Sequence, residues 1–157
     1  MNETVEFLNQ HLQRNPQGTL YNRPLIFGTM QRQTNLSGTI STLFGKLTSL
    51  QHLELDGTLL SGTIPSELGL LVDMVYLEIS RIPALQGSLP TEFGLMTKLE
   101  ELYVYDLPEL IGTIPTELGS LSSLFELQLR KCIFCRLIVA TFVVCTAYRW
   151  DGIVIIF

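Results

Sequence analysis

The stretch "GTIPTELGSL" at residues 112–121 repeats a phrase that this chain has already used. The phrase occurs as "GTIPSELGLL" at 62–71, as "GSLPTEFGLM" at 87–96 and, in degenerate form, as "GTISTLFGKL" at 38–47. The copies start 24 or 25 residues apart. Because a fixed period between about 20 and 50 residues is the signature of a stacked solenoid, we expect each copy to make the same turn in successive coils.

Aligning the copies on their first glycine places apolar residues in seven columns. The columns are Leu50, Met74, Leu99 and Leu124; Leu53, Leu77, Leu102 and Leu127; Leu55, Ile79, Val104 and Leu129; Leu60, Leu85 and Leu110; Ile64, Leu89 and Ile114; Leu68, Phe93 and Leu118; Leu71, Met96 and Leu121. In segments such as "HLELD" and "YLEIS" the second and third columns alternate with polar residues, which is the period of a strand with one buried face. Since consecutive units run the same way, these strands are expected to pair in parallel.

The repeated phrase is suited to the return of each coil. Its first glycine allows unusual backbone angles, and its proline keeps the preceding residue extended and starts a short helical turn. A glutamate in that turn suits the helix dipole, and a second glycine is expected to end the turn as a left-handed cap. The residues concerned are Pro65, Pro90 and Pro115; Glu67, Glu92 and Glu117; Gly69, Gly94 and Gly119.

The pattern L-x-x-L-x-x-L-x-L, followed by L-x-G-x-I-P-x-x-L-G-x-L, resembles the plant-type leucine-rich repeat. Residues 47–69 are a nearly complete copy, and the resemblance covers roughly residues 36–130. It implies an α/β repeat solenoid: a right-handed horseshoe with a parallel β-sheet on the concave side and short helical or extended segments on the convex side. Similar proteins are ectodomains of receptor-like proteins and receptor kinases of plants and related algae, which implies a membrane or extracellular location.

The chain departs from the family pattern where each strand turns. The family usually has an asparagine there, whereas this chain has Thr58, then Ile82-Pro83, then Leu107-Pro108. We therefore expect the backbone groups of these corners to be satisfied in another way. The cysteine-pair caps of extracellular members are also absent from this sequence.

Three segments follow from the repeat. Residues 1–35 are expected to form an N-terminal cap and a degenerate first coil, in which Leu25, Gly28 and Met30 fall at strand positions. Residues 36–131 hold about four coils, and residues 132–157 are an apolar tail. The N-terminal stretch is not typical of a secretory signal peptide, so an export signal would lie outside this sequence.

Three interpretations of the tail stay open. Residues 133–148 carry one charge, Arg136, and are a candidate membrane anchor, although the uninterrupted apolar run is shorter than the roughly 20 residues of a typical span. The tail is alternatively a set of apolar strands that cover the open end of the sheet. The third interpretation is a misjoined gene sequence, since the repeat stops in mid-coil.

The composition argues against several classes of function. A net charge of −5 does not suit a nucleic-acid binder, which needs a basic surface. Cys132 and Cys135 form a C-x-x-C pair, but a zinc site needs two more ligands at suitable spacing, and we predict no metal site. The sequence has no nucleophile-elbow, phosphate-loop or kinase motif, so we predict that the chain is not an enzyme.

The outward positions of the predicted strands carry more recognition chemistry than a solvated sheet face needs. Three tyrosines cluster among carboxylates, and tyrosine buries a large area at small entropic cost. We therefore predict a protein- or peptide-binding site on the concave face, without a cofactor, and the alternative is an ordinary solvated sheet. Its residues are His52, Glu54, Asp56, Tyr76, Glu78, Glu101, Tyr103, Tyr105, Glu126, Gln128 and Arg130. Because acidic residues outnumber basic ones there, the partner is expected to be basic.

Three hypotheses for the function are therefore kept. The first is a non-catalytic binding module that belongs to a membrane-anchored receptor-like protein. The second is a structural fragment of a larger repeat protein, without independent activity. The third is a receptor kinase whose catalytic domain lies outside this sequence.

Overall fold

Each copy of the repeated phrase folds into the same turn, a short 3-10 helix. The computed structural model describes residues 26–27, 37–132 and 154–156 of the chain. The turns are η1 (Thr42–Lys46), η2 (Ser66–Leu70), η3 (Thr91–Leu95) and η4 (Thr116–Ser120). In η2 to η4 the proline was predicted to be the first helical residue, but the helix begins at the residue after it. The glutamate lies in the first turn, as predicted. In η1, Ser41 replaces the proline, and its hydroxyl caps the turn by accepting a hydrogen bond from the Leu43 N–H at 3.2 Å.

Two parallel sheets connect these turns among the described residues. The strands are β1 (Ile26–Phe27), β2 (Ser37–Thr39), β3 (His52–Asp56), β4 (Leu59–Thr63), β5 (Tyr76–Ser80), β6 (Ala84–Gln86), β7 (Glu101–Leu107), β8 (Glu126–Cys132) and β9 (Val154–Ile156). The larger sheet has the order β1-β3-β5-β7-β8-β9, and the smaller sheet has the order β2-β4-β6. Every pair is parallel, which confirms the prediction from the direction of the repeats.

The seven apolar columns form one core between the two sheets and the turns. On β5, β7 and β8 the register joins Leu77, Leu102 and Leu127, which are at most 3% exposed. All other column members are buried as well, except Ile114, which is only partly buried. The alignment of the columns is therefore confirmed by the register of the strands and by the burial of the side chains.

The second glycine of each phrase has a different role from the one predicted. Positive φ angles occur at Gly38, Gly57, Gly62, Gly87 and Gly112, and Gly69, Gly94 and Gly119 are not among them. The prediction of left-handed caps is therefore wrong. A Cβ atom on Gly45, Gly69 or Gly94 would instead lie 2.6, 2.4 or 2.5 Å from the carbonyl oxygen of Glu67, Glu92 or Glu117 in the next coil. These positions need glycine because the backbone of the next coil passes so close.

The corners at the ends of β3, β5 and β7 use left-handed residues instead of asparagine. Gly57 has φ 61°, Arg81 φ 52° and Asp106 φ 55°. The backbone N–H of Gly57 donates to the Ser80 carbonyl at 3.1 Å, and that of Arg81 donates to the Tyr105 carbonyl at 3.1 Å. In these two corners the carbonyl group of the next strand thus satisfies the backbone N–H of the left-handed residue.

The ends of the larger sheet come from the two segments outside the repeats. Ile26 and Phe27 of β1 pair with His52 and Leu53, so Phe27 holds the strand position that the sequence alignment assigned to Gly28. At the other end, Val154–Ile156 of the tail pairs in parallel with β8, beginning opposite Glu126. The candidate anchor at 133–148 lies outside the described residues. Among the residues that are described, no helix has the length and apolar character needed to cross a bilayer.

The glycine positions provide a matched test of the coil stacking. Gly94→Ala is expected to destabilise the protein by about 1–3 kcal/mol, because the new methyl group overlaps the Glu117 carbonyl. Gly119→Ala, at the same place in the last turn, should change stability by less than about 0.5 kcal/mol, because no described atom lies within 4 Å of its Cβ position and the residue is exposed. Urea denaturation followed by circular dichroism measures both, and equal effects would contradict the proposed stacking.

Candidate functional site

The outward side chains of the larger sheet form three rows across β3, β5, β7 and β8, which we call the polar face. The rows are His52, Tyr76, Glu101 and Glu126; Glu54, Glu78, Tyr103 and Gln128; Asp56, Ser80, Tyr105 and Arg130. All eleven predicted site residues therefore lie on one surface, and Ser80 is added to them. They meet because the parallel register places residues one coil apart in neighbouring positions.

The first two rows carry a strip of aromatic rings. The rings of His52 and Tyr76 are stacked, with centroids 6.1 Å apart and planes tilted by 20°. The ring of Tyr103 follows, 5.4 Å from that of Tyr76 and tilted by 42°. These side chains are partly exposed, so the strip offers ring surface to a partner.

In the third row, the Arg130 side chain packs over the ring of Tyr105. The guanidinium carbon of Arg130 lies 4.7 Å from the centroid of the Tyr105 ring, which is a cation–π contact. Both residues are only partly buried. The polar face thus accommodates an arginine on one of its tyrosines within its own fold.

Glu78 is the centre of a hydrogen-bond cluster beneath these rings. Its Oε2 accepts from the Tyr76 hydroxyl at 2.6 Å, and its Oε1 accepts from the Tyr105 hydroxyl at 2.6 Å. The Ser80 hydroxyl lies 2.8 Å from the same Oε1. Glu78 is only 8% exposed, and these donors compensate the cost of burying its carboxylate.

Asp56 is satisfied by a residue of the next coil. The Arg81 guanidinium donates to both carboxylate oxygens, with Nε to Oδ1 and a terminal nitrogen to Oδ2, which is a bidentate ion pair. The Ser80 hydroxyl also lies 3.0 Å from Oδ1 of Asp56. Because that hydroxyl has a single proton, it donates to Asp56 or to Glu78 but not to both at once. Since Arg81 already serves Asp56, the Ser80 proton is available to Glu78.

Two residues predicted to contact a ligand, Asp56 and Glu78, are thus buried and hydrogen-bonded within the protein. Asp56 is 4% exposed and Glu78 is 8% exposed, and internal donors bind the oxygens of both. Arg81 was not among the predicted site residues, although it pairs with one of them. The sequence spacing could have indicated this pair, because Arg81 follows Asp56 by 25 residues, which is about one repeat.

The tyrosines of the polar face are hydrogen-bond donors over the whole neutral range. Burial raises the pKa of Tyr76, and the adjacent Glu78 carboxylate raises it further. Burial likewise raises the pKa of Tyr103, together with Glu101, whose oxygen accepts from the Tyr103 hydroxyl at 2.8 Å. The pKa of Tyr105 is raised by burial and then by Glu78. In each case the neutral phenol is favoured, because burial disfavours a phenolate, and the nearby carboxylate accepts a hydrogen bond from the phenol O–H and would repel a phenolate.

The described residues offer no metal chemistry. Within residues 26–27, 37–132 and 154–156, no group of three His, Cys, Asp or Glu side chains could hold a metal ion. His52 stacks on Tyr76, while Asp56 of the same strand is bound by Arg81. The face presents ring surface, carboxylates and phenol donors.

Comparison with known proteins gives matches among solved structures. No protein-family model matches the chain, and no curated protein matches it. The leucine-rich-repeat ectodomain of the plant membrane receptor kinase GASSHO1/SCHENGEN3 from Arabidopsis thaliana, solved with CASPARIAN STRIP INTEGRITY FACTOR 2, is 31% identical over 61% of this chain and 11% of its own, with a TM-score of 0.58.

Two further structures match at similar levels. The Arabidopsis receptor kinase HAESA, solved with the peptide hormone IDA and the co-receptor SERK1, is 35% identical over 62% of this chain and 17% of its own, with a TM-score of 0.54. A plant ice-binding protein is 35% identical over 62% of this chain and 31% of its own, with a TM-score of 0.58. This chain spans less than a third of the length of each of these three proteins.

Two ion pairs among the described residues, Asp56–Arg81 and Asp73–Lys98, provide a matched test of the buried cluster. Arg81→Ala should destabilise the protein by about 1–3 kcal/mol, because it leaves the nearly buried Asp56 without its guanidinium partner. Lys98→Ala removes the exposed pair with Asp73 and should cost less than about 1 kcal/mol. Thermal or urea denaturation of both variants checks the difference. If Arg81→Ala is as mild as Lys98→Ala, the pair does not compensate the burial of Asp56.

Proposed function

We propose that this chain, which is a plant-type leucine-rich-repeat protein, is a non-catalytic module that binds a protein or peptide through its polar face. The observation that carries the proposal is the strip of partly exposed rings of His52, Tyr76 and Tyr103 on that face. Aromatic anchors of this kind supply most of the energy of many interfaces. The parallel sheet keeps the rings at fixed spacing, so a partner meets a surface that is already ordered.

The charges around the strip favour a basic partner. Glu54, Glu101 and Glu126 lie in the same two rows as the rings, whereas Asp56 is neutralised by Arg81. The contact of Arg130 with the Tyr105 ring supports an arginine or lysine as the group that such tyrosines accept. A basic segment would also be drawn toward the carboxylates, which increases its association rate.

The solved relatives support a protein or peptide as the partner. HAESA was solved with a peptide hormone and a co-receptor, and GASSHO1/SCHENGEN3 is a membrane receptor kinase whose ectodomain was solved. By analogy we place this chain outside the cell or at its surface, and we assign it a protein or peptide partner. The proposal that it belongs to a membrane-anchored receptor-like protein extends the same analogy.

The size of the polar face limits its affinity. Four strands about 4.8 Å apart, each exposing about 16 Å of its length, give a flat footprint of roughly 250 Å². A standard interface buries about 800 Å² on each partner. The described coils alone are therefore expected to bind weakly, unless the partner also contacts the edges of the sheet or further coils.

A second candidate function is binding to ice, which one of the matched proteins is named for. The observation that favours it is a row of exposed hydroxyl residues, one per coil, each of which directly follows the first glycine of the repeated phrase. The row consists of Thr39, Thr63, Ser88 and Thr113. The Cγ2 methyl groups of Thr39 and Thr63 pack toward Gly62 and Gly87 of the next coil, at 3.2 and 3.1 Å from the position of an added Cβ. Because the phrase recurs once in each coil, the hydroxyl residues also recur once in each coil, and regularly repeated hydroxyls can meet a repeating lattice of water.

The binding of a partner is tested with Tyr103, the ring that lies on the central strand β7. A random peptide library is displayed on phage and panned on the immobilised full chain, and the selected peptide is measured by calorimetry. We expect a peptide rich in arginine or lysine, whose affinity falls as salt is added because the carboxylates are screened. Tyr103→Ala should weaken binding at least tenfold, while Glu92→Ala, in the turn η3 on the other side of the coil, should not. Equal losses, or none from Tyr103→Ala, would exclude the polar face as the binding site.

Ice binding is tested separately by recrystallisation of ice in the presence of the full chain. If the row of hydroxyls acts in this way, the chain should inhibit recrystallisation, and Thr63→Glu should abolish the effect by placing a charge in the middle of the row. Thr97→Glu provides the control, because Thr97 is exposed but lies outside the row. No inhibition by the parent chain would eliminate this candidate and leave the first one untouched.

A further inference from the structure

Glu78 differs from the other carboxylates of the polar face in what it contacts. Glu101 accepts a hydrogen bond from one tyrosine, Tyr103, which lies two residues along the same strand. Glu78 accepts from Tyr76 of its own strand and from Tyr105 of the next coil, one on each oxygen and both at 2.6 Å. It therefore links two coils through the hydroxyl groups of two tyrosines.

We infer that Glu78 is a positioning residue: it fixes Tyr76 and Tyr105 in the orientation that a partner meets, and it does not touch the partner itself. The inference rests on the proposed function of the polar face. It replaces the expectation that Glu78 is one of the residues in contact with the ligand.

Two observations support the assignment of Glu78 as a positioning residue: its side chain is buried, and hydroxyl donors surround its carboxylate. The residue is 8% exposed, so little of its carboxylate is open to a partner. An ionised carboxylate only accepts hydrogen bonds, and three hydroxyl groups surround this one. The third, Ser80, is available to Glu78 because Arg81 serves Asp56. The ion pair of Asp56 and Arg81 thus supports the cluster by leaving the Ser80 hydroxyl proton to Glu78.

Fixing the two hydroxyl groups orders the rings of the face. The Tyr76 ring stands between the rings of His52 and Tyr103, at 6.1 and 5.4 Å. The Tyr105 ring lies beneath the Arg130 guanidinium. A tyrosine whose ring and hydroxyl are both fixed loses less freedom on binding, so the partner does not have to order it. Glu78 consequently acts on affinity through the tyrosines.

The first test needs no ligand and compares Glu78→Gln with Glu101→Gln, which removes the same charge from the same face. Phenol ionisation is followed by absorbance at 295 nm between about pH 9 and 12, around the ordinary tyrosine pKa of about 10. In the parent, burial and the carboxylates raise the pKa of Tyr76, Tyr103 and Tyr105 above the ordinary value. Removing a carboxylate lowers the pKa of the phenols bound to it. Glu78→Gln should therefore move the titration of two tyrosines toward lower pH, and Glu101→Gln that of one.

The second test uses the peptide selected on the full chain, measured at 1 M salt, where the Debye length is about 3 Å and the lost charge matters little. Glu78→Gln should weaken binding roughly tenfold, since two side chains must then be ordered by the peptide. The double variant Tyr76→Phe, Tyr105→Phe should show a similar loss, and adding Glu78→Gln to it should cause no further loss. That non-additivity is a result that a merely structural role of Glu78 would not give.

Each outcome decides the inference. An unchanged absorbance titration of Glu78→Gln would overturn it, whatever the peptide does. A changed titration with unchanged peptide affinity would also overturn it, because the fixed tyrosines would then play no part in recognition. If Glu78→Gln does not fold, the double phenylalanine variant, which keeps both rings, must still lose affinity for the inference to stand. If no peptide is selected on the parent chain, the proposed function fails, and the titration alone decides whether Glu78 positions the tyrosines.

Discussion

The close stacking of one coil on the next is the constraint on which the rest of this structure depends. At Gly45, Gly69 and Gly94 the carbonyl oxygen of the following coil lies where a side chain would begin. That approach sets the distance between the turns, while the parallel ladder sets the distance between the strands. Because both distances are the same in each coil, apolar columns become continuous in the core and polar residues become continuous rows on the face.

The same stacking decides which charges of the face are open to a partner. Burying a carboxylate is costly unless donors compensate it, and the neighbouring coil supplies Arg81 to Asp56 and Tyr105 to Glu78. The two residues are consequently engaged within the fold, while the ring strip of His52, Tyr76 and Tyr103 stays partly exposed. In our proposal the buried carboxylate of Glu78 holds tyrosines in place, and the tyrosines contact the partner.

Much of the architecture could be predicted because the repeat is local and regular. The columns, the strands and the turn at each copy follow from residues that recur at fixed offsets, and the register of Leu77, Leu102 and Leu127 confirms them. Prediction was weaker where the repeat is degenerate. In the first coil the strand position belongs to Phe27 and not to Gly28, because the pairing with Leu53 is displaced by one residue from the repeat spacing.

The sequence by itself determined the solenoid, the sheet face that carries the polar rows and the set of residues on that face. It could do so because burial alternates along each strand with a period of two, which is visible in the order of residues. Only the tertiary structure showed that Gly69 and Gly94 leave room for the backbone of the neighbouring coil. It also showed that Glu78 accepts a hydrogen bond from Tyr105. These roles belong to contacts between residues about 25 positions apart. Such contacts depend on how side chains of two coils are oriented toward each other, and this orientation is set only when the coils pack together.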